Sequence, residues 1–177
     1  MDLGVISVRY ARALLKSATE QGVEDGVCHD MSQLGQSYLE VPQLRAAIAN
    51  PMLPADKKEA LLVTAAGTAP TKLTQRFLSL VIREGRAYAL QFMAASYVTL
   101  YRKQKNITCG RLITATTVTP AIEERMRQMV ESKTRGTVEF NTEVDPNIIG
   151  GFILEYDTYR MDASVKTGLR KILAELK

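Results

Sequence analysis

The first candidate for metal binding or acid–base chemistry is Cys28-His29-Asp30, which places a thiol, an imidazole and a carboxylate in a row. Periodicity puts this tripeptide inside a helix, where adjacent side chains point about 100° apart and cannot close around one ion. The chain has a single histidine, and no second cluster supplies the other ligands of a four-coordinate site. We therefore predict no metal, no cofactor and no catalytic triad.

Three aspartates in the last third, Asp145, Asp157 and Asp162, are the next candidates, because paired carboxylates can act as general acid and base. Each stands where a carboxylate stabilises backbone: before a turn, inside a hairpin turn, and at a helix N-terminus. Asp162 begins an Asp-x-Ser step with Ser164 that opens the last helix. We assign these residues structural roles and predict no catalytic residue, so a small enzyme with an unusual site is poorly supported.

The Gly150-Gly151 step is the remaining candidate for ligand chemistry. It lacks the GxGxxG spacing of dinucleotide sites and the Lys-Ser/Thr of a P-loop, and it leads into a strand instead of a helix. A β-bulge or a close approach of two backbones accounts for it better than phosphate binding.

The net charge of +4 is concentrated around Arg102, Lys103 and Lys105, with Arg111 just beyond. These cations suit a solvated helix C-terminus, and contact with an acidic partner or lipid headgroups is the other interpretation. Nucleic-acid readers usually add interleaved aromatics or a known motif, which this cluster lacks. A basic α-helical nucleic-acid-binding adaptor is nevertheless the alternative function to be tested.

The elements that position these residues fall into two unlike parts. Apolar residues recur with helical spacing up to residue 105, and Pro42, Asn50-Pro51 and Gly85 are among the residues that separate the segments. The predicted helices lie near residues 4–21, 23–40, 42–49, 54–66, 70–84 and 86–105. Their short connections predict a compact six-helix bundle.

After Asn106 the pattern becomes that of a small α/β domain. Strands are predicted at 107–118, 137–143, 151–156 and 159–162, and a helix begins at Thr119-Pro120. A last helix, capped by Asp162, carries an apolar stripe of Val165, Leu169, Ile172, Leu173 and Leu176. The predicted fold is α+β: an N-terminal helical domain, 1–105, and a small α/β C-terminal domain, 106–177.

Composition limits the compartment and the relation to membranes. The two cysteines are far apart, which suggests reduced thiols, and no apolar run approaches the ~18 residues of a membrane span. The first residues include Asp2 and soon become helical, so neither a secretory signal nor a transit peptide is expected.

The first and fifth helices each carry two apolar stripes. In the first helix, Val8, Ala11, Leu15 and Ala18 are assigned to the core and Ile6, Tyr10, Ala13 and Ser17 to the opposite side. In the fifth, Leu73, Phe77, Leu80 and Val81 are assigned to the core, and Leu78 and Ile82 to another face. Two explanations remain open. Both helices are covered by their own bundle, or they form a groove for an amphipathic helix of a partner.

Four segments carry a resemblance to a known family. They are Val8-Arg9-Tyr10-Ala11-Arg12-Ala13-Leu14, Arg83-Glu84-Gly85-Arg86, Val144-Asp145 through Gly150-Gly151-Phe152-Ile153, and Asp162-Ala163-Ser164-Val165 followed by Leu169. In these segments and in domain order the chain resembles the delta subunits of F-type ATP synthases, the family of the oligomycin-sensitivity-conferring protein. The resemblance covers essentially the whole chain, and the C-terminal pattern is its most specific part.

The resemblance implies a stator component without an active site. In such proteins the helical domain binds the N-terminal helix of an alpha subunit of the catalytic head, and the C-terminal region meets the peripheral-stalk b subunits. The implied helix-binding groove, between the first and fifth helices, maps onto Ile6, Tyr10, Ala13, Leu78 and Ile82. The expected location is the cytoplasmic face of a bacterial inner membrane, which the protein would meet only through the complex.

Overall fold

The computed structural model of the chain describes residues 3–134, 136–156 and 158–175. Two compact units, Met1–Tyr101 and Arg102–Lys177, make up the chain, and the change of pattern in the sequence falls slightly later, after residue 105. Asp157, predicted in a hairpin turn, and Leu176, predicted on the apolar stripe of the last helix, lie outside the described residues.

The described part of the chain contains eight α-helices and one four-stranded sheet, which confirms the α+β fold class with helices first and a small sheet domain second. The six helices that come first are α1 (Leu3–Gln21), α2 (Glu24–Glu40), α3 (Pro42–Ala49), α4 (Ala55–Ala65), α5 (Lys72–Arg83) and α6 (Leu90–Lys105). A 3₁₀ turn at Ala87–Ala89 precedes α6, so the sixth helix begins later than predicted.

Local chemistry explains where these helices begin. Pro42 is the first residue of α3, a position that has no hydrogen bond to lose and suits the fixed φ of proline. Thr71 caps α5, because its hydroxyl oxygen accepts a hydrogen bond from the backbone N–H of Thr74 at 3.2 Å. One continuous apolar core, including Leu34, Leu62 and Leu90, joins the helices of this unit.

The second unit contains β1 (Ile107–Thr114), α7 (Pro120–Thr134), β2 (Thr137–Val144), β3 (Phe152–Tyr156), β4 (Tyr159–Asp162) and α8 (Val165–Glu175). The strand order is β2-β1-β3-β4. β1 and β2 are parallel and are connected through α7, whereas β3 is antiparallel to both β1 and β4. The core of the second unit is formed by Leu112, Val130, Val138 and Leu154. Because Val130 belongs to α7, this helix packs on one side of the sheet.

The first strand is shorter than predicted. It ends at Thr114, which pairs with Val144 at the end of β2 and with Phe152 at the start of β3. Residues 115–118 are strand-prone by type, but both neighbouring strands stop there, so no partner extends the ladder. None of the described helices is long and apolar enough to cross a membrane.

Candidate partner-binding site

The edge of α1 that faces α5 is organised around the half-buried side chain of Tyr10. Its ring meets the ring of Phe77 edge-on, with centroids 6.4 Å apart and planes at 64°. Arg86 Nη1 donates a hydrogen bond to Tyr10 Oη at 2.6 Å, and the guanidinium carbon lies 5.3 Å from the ring centroid. A charge-assisted hydrogen bond and a cation–π contact therefore hold this one side chain.

Arg86 reaches Tyr10 because α5 ends in a Schellman motif. Gly85 has a φ of +65°, a left-handed conformation that glycine adopts without a steric penalty. The Arg86 N–H donates to the carbonyl of Val81 and the Gly85 N–H to that of Ile82, both at 2.9 Å. The Arg-Glu-Gly-Arg segment noted in the sequence is thus a helix stop that directs Arg86 toward α1.

Apolar side chains flank this junction on both helices. Ala13, one turn beyond Tyr10, is exposed, and on α5 Leu73 is half-buried and Leu80 is 38% exposed. Leu73 and Leu80 are four residues before and three residues after Phe77, so they share its side of the helix. Tyr10, Ala13 and Leu73 thus define a partly accessible apolar strip between α1 and α5, whereas Leu80 also lines the depression between α4 and α5.

The outer face of α1 is also apolar in part and is strongly basic. Val5 and Val8 are 52% and 37% exposed, and together with Ala13 they line an open surface depression. The same depression is lined by three cations: Arg9, Arg12 and Lys16.

The structure places three predicted groove residues away from this strip. Ile6 and Leu78 are 5% and 0% exposed and belong to the core of the helical unit. Ile82 is half-buried and lines a depression between α4 and α5, together with Leu80 and Glu59.

The core assignment was wrong at two positions, since Val8 and Leu80, predicted in the core, are 37% and 38% exposed. Each stripe keeps most of its predicted core, since Ala11, Leu15, Ala18, Phe77 and Val81 are buried. At one position in each helix another residue is buried instead: Ile6 in place of Val8, and Leu78 in place of Leu80. Both helices carry large apolar side chains on adjacent stripes, and periodicity alone does not say which stripe the bundle covers.

A buried carboxylate, which the sequence analysis considered only as a metal ligand, joins α2 to the start of α5. Asp30 is 5% exposed, and its Oδ2 accepts hydrogen bonds from the Thr71 backbone N–H at 2.8 Å and from Thr74 Oγ1 at 2.7 Å. A signal was present in the sequence, because Asp30 falls between Val27 and Leu34 on the buried stripe of α2. An acidic residue on such a stripe requires a polar partner.

The neighbours of Asp30 do not gather ligands. His29 is exposed and Cys28 is half-buried. Among the described residues, no group of three or more histidine, cysteine, aspartate or glutamate side chains is arranged to hold a metal ion.

The Asp-x-x-Ile-x-Gly-Gly segment forms a compact joint between β2 and β3. Asp145 Oδ1 accepts hydrogen bonds from the Asn147 backbone N–H at 3.0 Å and side-chain amide at 2.8 Å, which holds the pKa of Asp145 below its usual value. Gly151 has a φ of +75°, and a Cβ there would lie 2.2 Å from the carbonyl oxygen of Ala163. The double glycine therefore permits a close approach of two backbones.

That joint also fixes the start of α8. The carbonyl of Gly150 accepts a hydrogen bond from the Val165 N–H at 3.0 Å, and Ser164 Oγ accepts one from the Thr167 N–H at 3.2 Å. The N-cap of α8 is thus Ser164. The prediction that Asp162 is the N-cap was wrong. Asp162 supports the cap from outside, since its oxygens accept from Ser164 N–H at 3.0 Å and Thr167 Oγ1 at 2.9 Å. These hydrogen bonds lower the pKa of Asp162 to about 2, and the hydrogen bonds with Ser164 contribute most to this shift.

Beyond its capped start, α8 presents an uncovered apolar stripe. Val165, Leu169, Ile172 and Leu173 are 44%, 49%, 55% and 63% exposed. Helical geometry places all four within about one third of the helix circumference.

Comparison with known proteins decides the family. Residues 6–176 match the family model described as ATP synthase delta (OSCP) subunit. The chain belongs to this family. The ATP synthase subunit delta of Phocaeicola vulgatus is 47% identical over 173 residues, which is 97% of this chain and 94% of that protein. A subunit delta of Bacteroides fragilis is 41% identical over 174 residues, with the same coverage of both chains.

Structural comparison finds the same fold in a solved complex. A chain in the cryo-EM structure of the Toxoplasma gondii mitochondrial ATP synthase hexamer superposes with a TM-score of 0.66, covering 96% of each chain. At 19% sequence identity this similarity shows the fold alone. The resemblance drawn from the four sequence segments is confirmed, and the nucleic-acid-binding alternative receives no support.

Proposed function

We propose that this chain is a non-catalytic stator subunit of an F-type ATP synthase, linking the alpha subunits of the catalytic head to the b subunits of the peripheral stalk. The observation that carries the proposal is the delta-family match over residues 6–176. The protein works as a peripheral component on the cytoplasmic face of a bacterial inner membrane and meets the membrane only through its partners.

The helical unit binds the head through the apolar strip between α1 and α5. An amphipathic helix from the N-terminus of an alpha subunit lies along Tyr10, Ala13 and Leu73, which are half-buried or exposed and so support this placement. Ile6 and Leu78 support the strip from the core beneath it. The cations on the outer face of α1 attract acidic side chains of the partner and raise the association rate more than the affinity.

The second unit binds the stalk through α8. Its uncovered apolar stripe is of the kind that packs against another helix, and its start is anchored by the Gly150 and Ser164 hydrogen bonds. Lys166, Arg170 and Lys171 lie among the apolar residues of the same helix, which favours a partner helix with acidic flanks.

The mechanical role follows from these two attachments. Rotation of the central stalk produces ATP only if the head does not turn with it, so the head must be held while torque is delivered. Dissociation of either attachment would waste proton flow. Buried apolar surface contributes about 25 cal/mol per Å² and prolongs the lifetime of such a contact without any chemical step.

Calorimetric titration of the chain with a peptide from the N-terminus of its cognate alpha subunit tests the head contact. We expect one-to-one binding with a negative heat-capacity change. Ala13→Trp fills the narrow edge of the strip and should abolish binding, whereas Ala46→Trp, at an exposed position on α3, should bind like the wild type. Unchanged binding by folded Ala13→Trp would contradict the placement of the site.

A further inference from the structure

We propose that Arg86 is a positioning residue for the partner-helix site: it holds the Tyr10 ring ready for an incoming helix without contacting that helix itself. The inference rests on the proposed function and goes beyond it by assigning a role to the Arg-Glu-Gly-Arg segment. That segment has no part in the apolar strip, yet its last residue makes a long-range contact to the centre of the strip.

The contact geometry supports positioning. Tyr10 is half-buried, so without other restraints its ring would be free to leave the strip. Phe77 restrains the Tyr10 ring edge-on. Arg86 restrains the same side chain twice: Nη1 lies 2.6 Å from Tyr10 Oη, and the guanidinium carbon lies 5.3 Å from the ring centroid. The hydrogen bond and the cation–π contact from one guanidinium restrict the orientation of the tyrosine ring.

Arg86 is itself held by backbone. Its N–H donates to the carbonyl of Val81 at 2.9 Å, and its carbonyl accepts from the Ala89 N–H at 3.0 Å, where the 3₁₀ turn begins. Arg83, three residues earlier, carries the same charge but is exposed on the side that faces the α4–α5 depression. The chain therefore offers a matched cation that lacks the contact to Tyr10.

Positioning has a kinetic signature. Side-chain rotamers exchange in picoseconds to nanoseconds, much faster than binding, so only the fraction of molecules with a correctly oriented ring is competent to bind. Loss of Arg86 lowers that fraction, which lowers the association rate and leaves the dissociation rate unchanged. A residue that contacts the bound helix would instead change the dissociation rate.

The experiment measures association and dissociation rates of the alpha N-terminal peptide with wild type, Arg86→Met and the control Arg83→Met. For Arg86→Met we expect an association rate roughly three- to tenfold lower with an unchanged dissociation rate. The decrease should persist in about 0.5 M salt, roughly three times the physiological ionic strength, because it does not arise from electrostatic steering. For Arg83→Met we expect at most a small decrease in the association rate, and this decrease should disappear at high salt.

Two further variants keep the test decisive if Arg86→Met fails to fold. Tyr10→Phe keeps the ring but removes the acceptor oxygen, and we expect a smaller decrease in the association rate. In a Tyr10→Ala background, Arg86→Lys should have no additional effect. A faster dissociation of Arg86→Met, or rates equal to those of Arg83→Met, would overturn the positioning role while leaving the proposed function intact. Absence of peptide binding by the wild type would overturn both.

Discussion

At the level of single residues, Gly151 combines a left-handed backbone with a lack of space. Its φ is +75°, and a Cβ would lie 2.2 Å from the Ala163 carbonyl oxygen. We expect Gly151→Ala to destabilise the second unit by about 2 kcal/mol or more. Gly168→Ala is the matched control, because a Cβ there meets nothing within 4 Å and alanine favours the helix by about 1 kcal/mol.

Hydrogen exchange of the β1 and β3 amides measures this effect, because it reports the opening of the second unit by itself. Gly151→Ala should exchange faster than the wild type, and Gly168→Ala should exchange at the same rate or more slowly. Equal protection in the two variants would mean that the backbones do not approach as closely as described.

Asp162 gives the second unit a defined acid dependence. Its folded pKa of about 2 lies below the ordinary value of 3.8, so its contribution to stability is fully present above about pH 4 and is lost as the pH falls toward 2. Asp162→Asn removes the titrating group. In urea unfolding across this range, wild type and variant should differ most near pH 5 and converge near pH 2. A constant difference at all pH values would rule out this contribution.

At the level of elements, Asp30 is the polar link between α2 and α5. Removing its carboxylate leaves the backbone N–H of Thr71 and the fully buried side chain of Thr74 without this acceptor. We expect Asp30→Ala to lower the free energy of unfolding by about 2–3 kcal/mol. The exposed neighbour His29 serves as control, and His29→Ala should change stability by less than about 0.5 kcal/mol. Urea unfolding of the helical unit gives both values.

The positions of most elements were predictable because their signals are local. Pro42 and Gly85 separate helices through their own backbone preferences, and α7 begins at Pro120, directly after Thr119, as the residue types predict. The end of β1 at Thr114 was not predictable from residue types, since residues 115–118 favour a strand as strongly as those before them. Strand length there depends on partners that are distant in sequence.

The partner-binding site on α1 and α5 stays a prediction, and its side-chain contacts were not predictable from the sequence. The choice of α1 and α5 came from the family resemblance and from their double apolar stripes, but the stripe that each helix buries depends on packing of the whole bundle. Contacts such as Arg86–Tyr10 and Asp30–Thr74, which span 76 and 44 residues of sequence, have no local signature. A single sequence therefore predicts where the helices lie along the chain, but it does not predict which side chains of different helices contact each other.

At the level of the whole molecule, the proposed function makes the chain a bridge whose two attachments lie on different units. Leu169→Asp combined with Ile172→Asp places charges on the exposed stripe of α8 and should abolish binding to the stalk without affecting the head contact. Ala174→Asp is the matched control, because Ala174 lies on the opposite side of the same helix.

The most direct test is sedimentation of the chain mixed with the alpha N-terminal peptide and the soluble part of the b subunits. The account predicts one ternary complex with the wild type and with Ala174→Asp, loss of only the b component with the α8 double variant, and loss of only the peptide with Ala13→Trp. Competition between the two partners for the wild-type chain, or simultaneous loss of both from either variant, would contradict a stator that connects head and stalk through separate surfaces.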